Sequence, residues 1–516
     1  MRRLNMILFF SLLTIAANAQ FVNNGATVTI QAGATLRVES SFLNNAGGTV
    51  TNNGILEVQD DFTNAGTFTS DAASTVKFIG TDNTDVTSGG ATLANVEMLK
   101  TAQNITLMDD MAVSGTLTFI NDNNKVILGA HDLTIGATGS IASADDNEYI
   151  VTDGTGQLIK GLTASGTITH EIGDAANYTP ISNEVTGSAY ASATLGARVV
   201  DSTHPSKPSE ADSYLSRYWV VNANGITEYS NSMTGTYASS GDTNGTPSRI
   251  KGATFIPSTW SYTGATTNST STITGSTSND AVDFTGMNAL NKLDITAFLY
   301  GAMPSSGTTM TNYLQTYSPL LLPPTSPYGV PTSTYSDIGN VAGVAGTVTD
   351  WVKVEVRDAS NPATILETRS LLLKTNGHIV DVYGSVPYFK DNVSPVQIAV
   401  HHRNHLAVLS NSIASFEGTN ISYDFSSGLS QAFNPSNDPN QMQLKNGVWC
   451  LNTGDVNSDL SVDANDTPSF FMEFNLGSFD LYINTDLNLD GAMDANDTPF
   501  FFTPFNSGYY STILNY

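Results

Sequence analysis

Short alternating stretches of apolar and polar residues fill the first part of the chain: GATVTI, GATLRV, GGTVTN, GILEVQ, GTFTS and STVKFIG, then SGTLTF and GATGSI, all within residues 21–141. Each is a few residues of period-two pattern rich in Val, Ile, Thr and Phe, ended by Gly or by an Asn-Asn or Asn-Ala pair, which is the signature of strands and turns. No helical period recurs. The loose self-similarity predicts a parallel β-helix-like solenoid over residues 20–147, with Val, Ile, Leu and Phe stacked inward and Asn and Thr at the turns. A sandwich of antiparallel strands fits the same alternation and stays open at this point.

The strands lengthen over residues 148–301, in GQLIKGL, GTITHEIG, SYLSRYWVVNA, ATFIPSTWSYTG and ITAFLYG, and this region is expected to be a β-sandwich with Trp219 and Trp260 as core anchors. Residues 302–340 hold LLLPPTSPYG; Pro323, Pro324, Pro327 and Pro331 withhold backbone donors, so a rigid linker is expected. A second β-sandwich is expected over 341–452. In its strand TDWVKVEVRD, Val352, Val354 and Val356 share one face, with Lys353, Glu355 and Arg357 on the other. Read as a strand, VHHRNHLAV puts His401, Arg403 and His405 together; a guanidinium between two imidazoles repels a cation, which favours a hydrogen-bonded structural cluster.

The pattern changes in residues 453–516, where DVNSDLSVDANDTPSFFMEFN is followed by DLNLDGAMDANDTPFFFTPFN. Oxygen-bearing groups recur at positions 1, 3, 5, 7, 9 and 12 of a twelve-residue loop, a spacing that wraps a calcium ion in hard oxygen ligands. The candidate ligands are Asp455, Asn457, Asp459, the carbonyl of Ser461, Asp463 and Asp466 in the first loop. In the second they are Asp486, Asn488, Asp490, the carbonyl of Ala492, Asp494 and Asp497. Position 6, where a sharp turn is wanted, is Gly491 in one loop and Leu460 in the other. Asp466 and Asp497 are also placed to cap helices carrying Pro468 and Pro499 in their first turns. Those helices should bring Phe470, Phe471 and Phe474 together with Phe500, Phe501 and Phe502 in a small core, with Pro504 cutting the second helix short.

Charge adds to this picture. The chain has 20 Lys and Arg against 47 Asp and Glu, a formal net charge of -27, which opposes nucleic acid binding because phosphates need cationic partners. No Lys or Arg follows Lys445, so two Ca2+ sites are expected to fold the terminal module by neutralising its carboxylates. The N-terminus, with Arg2 and Arg3, an apolar stretch over 6–16 and Ala17-Asn18-Ala19, reads as a signal peptide cleaved near Ala19 and implies a secreted or cell-surface protein. No membrane-spanning segment is expected in the mature chain. The single cysteine, Cys450, excludes an intramolecular disulfide framework and reads as a buried hydrophobe.

The paired loop-helix units, with Asp at position 12, resemble a dockerin, a calcium-dependent module that binds cohesin domains in cellulosome-type assemblies. That resemblance implies a protein partner, met through loop positions 10 and 11. Here these are Ala464-Asn465 and Ala495-Asn496, where type I dockerins often carry Ser-Thr. The preceding stretch, with TDWVKVEVRD, LLLKTNGHIVDV, IAVHHRNHLAVLS and NGVWCLNTGDVN, is similar to a haemagglutinin-like region of exported bacterial surface proteins, which implies a multidomain surface or secreted protein. The leading expectation is a non-enzymatic protein of adhesion or assembly, binding a protein partner or a glycan or cell-surface ligand. A polysaccharide-degrading enzyme or cellulosome-like component is the second reading, although Arg37, Lys77, Lys100, Lys125 and His131 are too scattered to suggest a catalytic face. A passive matrix protein is the third.

Overall fold

The computed structural model describes residues 20–152, 154–238, 241–256, 259–262, 266–267, 271–329, 344–390, 395–414, 416, 420–436 and 440–516. The signal-peptide reading of residues 1–19 lies outside these, as do Pro331 and the expected start of the second sandwich at 341. The fold is mainly β, with an N-terminal parallel solenoid of about seven turns. The chain divides into two compact units at Asn288 and Ala289.

In the first unit the short alternating segments stack as parallel strands. One ladder runs through Phe21–Asn23, Phe42–Asn44, Phe62–Asn64, Thr84–Thr87, Ile105–Leu107, Lys125–Ile127, Tyr149–Val151 and Ile172–Gly173. The register places like on like: Phe21, Phe42 and Phe62 align, and their rings stack at centroid distances of 5.0 Å. Asn23, Asn44 and Asn64 also align. Their amides form a chain, Asn23 Nδ2 to Asn44 Oδ1 at 2.9 Å and Asn44 Nδ2 to Asn64 Oδ1 at 2.7 Å. These asparagines stand at coil corners but are buried, so each must find a partner, and the neighbouring coil supplies it.

The solenoid does not stop at residue 147. Tyr149–Val151 and Ile172–Gly173 continue its first sheet, and Leu158–Leu162 pairs in parallel with Leu133–Ile135 on one side and antiparallel with Ala189–Val200 on the other. One continuous sheet therefore carries the solenoid into the sandwich. The opposing sheet is built from Gly166–His170, Ile181–Thr186, Ser230–Thr236 and Thr272–Thr277. Trp219 is fully buried, and its indole N–H donates to the Thr179 carbonyl at 2.9 Å. Gly235 makes room for it, since a Cβ there would stand 2.7 Å from the ring.

The second unit begins earlier than the pattern suggests. Leu290–Thr296, expected to close the first sandwich, pairs with His378–Val380, Tyr388–Lys390 and Asn420–Asp424 and buries Leu293 and Ile295. The Pro-rich passage is no linker over its described part, 302–329. Helix α1 (Tyr313–Thr316) and the segment after it put Leu314 and Leu322 into this unit's core, and the Trp351 indole N–H donates to the Pro323 carbonyl at 2.9 Å. In Val348–Asp358 the face of Lys353, Glu355 and Arg357 is covered as well as that of the valines, with Glu355 buried against Arg357, Lys353 and His401. Burial alone would raise the Glu355 carboxyl, but its bonds to His401 and then to Lys353 hold it well below the usual range.

Candidate metal centre

The two terminal loops fold alike. In the first, the N–H groups of Asp459 and Leu460 donate to the two Asp455 oxygens at 3.0 and 3.1 Å. Those of Val456 and Asn457 reach Asp466 Oδ1 at 2.9 and 3.2 Å, and that of Asp463 reaches Oδ2 at 2.9 Å. The second loop repeats every bond. Asp490 and Gly491 donate to Asp486 at 3.1 and 3.0 Å; Leu487, Asn488 and Asp494 donate to Asp497 at 2.8, 3.2 and 2.9 Å. Asn457 and Asn488 each accept from the residue two further on at 2.9 Å, and Asp459 and Asp490 do so at 3.1 Å. Asp463 and Asp494 turn toward the N–H groups of Asn465 and Asn496. Backbone donors thus orient the side-chain oxygens of Asp and Asn at positions 1, 3, 5, 9 and 12.

Leu460 takes the same left-handed turn as Gly491, with φ of 73° against 82°, and the position-4 residues Ser458 and Leu489 are also left-handed. For a leucine this conformation costs roughly 1–2 kcal/mol. Packing offsets it: the Leu460 side chain lies against a small cluster of Ala399, Ala407, Leu409 and Ile513. Gly491 has no such room, since a Cβ there would meet Leu321 Cδ1 at 2.8 Å and Tyr313 Cε1 at 3.0 Å.

Helices α2 (Thr467–Leu476) and α3 (Thr498–Ser507) succeed the loops. Asp466 and Asp497 do not cap them, because the loop N–H groups already occupy both oxygens of each carboxylate. Nor does Pro504 shorten α3. Its missing N–H would have met the Phe500 carbonyl, and the buried Thr453 hydroxyl donates there instead. Of the phenylalanines, Phe470 and Phe501 are buried and stack at 4.1 Å, while Phe471, Phe474 and Phe502 remain at the surface.

Asp455, Asp466, Asp486 and Asp497 are all buried. Burial, together with the neighbouring carboxylates, pushes Asp455 and Asp486 up to about 7 and Asp497 up to about 6, and raises Asp466 in the same direction; at Asp486, Arg403 works against the rise. Such a ring of acids must hold protons or a cation near neutral pH. A hard divalent ion fits this donor set of carboxylate, amide and carbonyl oxygens. Among the described residues, no three His, Cys, Asp or Glu side chains converge as a group that could hold a metal ion by themselves. Ala464, Asn465, Ala495 and Asn496 are exposed.

The loops are not a free-standing module. Arg403 and Asn404 form the turn of a hairpin between Val396–His402 and His405–Leu409, which corrects the single-strand reading of VHHRNHLAV. The Asn404 carbonyl accepts from Gly454 N–H at 3.0 Å, and its amide donates to the Asp486 carbonyl at 2.6 Å. Arg403 donates to the Ile483 carbonyl and to Asp350 at 2.9 Å, and lies 4.3 Å over the Tyr482 ring. Tyr482 in turn donates to Asp350 at 2.7 Å, and His402 bonds the same carboxylate at 3.1 Å. Burial would raise Asp350; Arg403 above all, with His402 and Tyr482, brings it down to about 2. Further contacts come from the chain end, where the Ser511 hydroxyl donates to the Ala407 carbonyl at 2.6 Å. Sequence alone flagged this basic cluster but not its target, because the loops it holds lie far along the chain.

No protein-family model matches this chain, and no curated protein does. Among solved structures, it is similar to an N-terminal interface mutant of a type II cohesin–X–dockerin complex from Acetivibrio cellulolyticus, at 16% identity over 32% of this chain and 84% of that one. The TM-score is 0.20, too low for the likeness to bear on fold or function.

Proposed function

We propose that this is a non-enzymatic secreted or surface-held protein of adhesion or assembly, whose C-terminal loops each bind one Ca2+. The observation that carries the calcium reading is the bond-for-bond repetition of the backbone cradle around Asp455 and Asp466 and around Asp486 and Asp497. Unrelated acidic turns have no reason to share that pattern, whereas two sites for one ion do. The ion would supply the positive charge that four buried carboxylates need.

Adhesion or assembly is supported by the surface around α2. Phe471, Met472, Leu476, Phe479 and Leu481 are exposed there, the kind of apolar patch at which proteins meet. The Ala464-Asn465 and Ala495-Asn496 pairs give the same module two exposed, identical contact points. Among the described residues no helix is long and apolar enough to cross a membrane.

Two experiments test this reading. Pull-down with the full mature chain, with and without chelator, should recover a partner only when calcium is present. A broad glycan panel addresses the sugar-binding alternative. Absence of both a protein partner and a glycan ligand would leave a calcium-braced matrix protein in place of an adhesin.

A further inference from the structure

We infer that the Arg403-Asn404 turn couples the two ion sites, so that filling one loop prearranges the other. The inference rests on the proposed calcium binding but concerns residues outside the loops. This dipeptide touches both. Toward the first loop, the Asn404 carbonyl accepts from Gly454 N–H, the residue before Asp455, and the Arg403 carbonyl accepts from the Ser458 hydroxyl at 3.2 Å. Toward the second, the Asn404 amide holds the carbonyl of Asp486 itself, and Arg403 holds that of Ile483.

The turn is bonded together from behind, so a shift imposed at one of its contacts is passed to the others. Arg403 and Asn404 are buried, Asp350 fixes the guanidinium and Tyr482 at once, and Asn404 Oδ1 lies 2.7 Å from the His405 imidazole. An ion at the first loop fixes Asp455, and through Gly454 and Ser458 it fixes the turn. The turn then presents its amide to Asp486, the first ligand of the second site. Such linkage is reciprocal, so each ion must raise the affinity of the other site. Groups that orient metal ligands from behind commonly change affinity by about 10- to 100-fold when removed.

The test is calcium calorimetry on the full chain, comparing wild type, Asn404→Ala, Asp486→Ala and the double variant, with thermal unfolding in chelator as a second readout. Asn404→Ala is expected to weaken both sites by about 10-fold. Asp486→Ala should weaken the first site by about 5-fold in the wild-type background and leave it unchanged in the Asn404→Ala background. If Asn404→Ala does not fold, Ser458→Ala carries the test. Ser458 is exposed, lies in the first loop and donates through its hydroxyl to Arg403, yet its loss should weaken the second site. Coupling that persists in Asn404→Ala, or a second site indifferent to Ser458→Ala, would overturn the inference and leave the calcium reading standing. Absence of any binding heat in wild type would instead remove that reading, and the inference with it.

Discussion

The two terminal loops share their Asp and Asn positions and the same backbone hydrogen bonds, and among the residues between them they differ at position 6. Leu460 bends into the left-handed region with its half-buried side chain packed against the hairpin that turns at Arg403-Asn404; Gly491 does so where Leu321 and Tyr313 leave no space for a side chain. A loop that departs from the usual glycine is therefore not a broken loop. Its turn is held by packing where the other is held by backbone freedom, and tertiary surroundings decide which is used.

This comparison can be broken at its largest effect first. Asp486→Ala with Asp497→Ala should abolish binding at the second site and halve the calcium stoichiometry measured by calorimetry. Chelation should then lower the stability of the whole second unit, because the loops are bonded into its sheet through Arg403, Asn404 and Ser511. Hydrogen exchange should show it, with protection falling in Val396–His402 and His405–Leu409 as well as in α2 and α3, while the first unit is unchanged.

Exchanging the position-6 residues comes next. Gly491→Leu forces a side chain into Leu321 and Tyr313 and should cost about 3 kcal/mol in urea unfolding. Leu460→Gly relieves strain but gives up packing, and should change stability by less than about 1 kcal/mol. Equal costs for the two exchanges would show that the loops are not held differently.

The pH dependence comes from the buried acids. Without metal, Asp455 and Asp486 keep their protons up to about pH 7 and Asp497 up to about 6, against an ordinary carboxylate value of 3.8. The folded chain then binds more protons than the unfolded chain across that window, so stability is lost as pH rises from about 4 through 7. Saturating calcium should reverse the trend, since the ion needs the carboxylates ionised. Urea midpoints at about pH 5 and about pH 8, in chelator and in calcium, would show the two slopes. A further effect belongs to α3: Thr453→Val leaves the Phe500 carbonyl without a donor beside Pro504 and should cost about 1–2 kcal/mol.

Local pattern made some of this legible and not the rest. The alternation in GATVTI and its relatives encodes strands, and like residues recurring coil by coil encode the ladder of Phe21, Phe42 and Phe62. The acidic spacing marked the loops for the same reason, since the turns that its Asp and Asn side chains hold by accepting from nearby N–H groups are local. What escaped were long-range choices. Leu290–Thr296 reads like any strand, and only its partners at 378–390 and 420–424 assign it to the second unit. Pro323 looks like a linker residue until Trp351 donates to its carbonyl. Asp497 looks like a helix cap, but its oxygens are claimed by Leu487, Asn488 and Asp494 before the helix can use them.

The central claim is that both loops bind calcium although only one has glycine at its sharp turn. Calorimetric titration of the full chain with calcium tests it most directly. Two ions bound per chain, falling to one when Asp486 and Asp497 are replaced by alanine, is the expected result. A single ion in wild type that disappears with that replacement, or no heat at millimolar calcium, would contradict it.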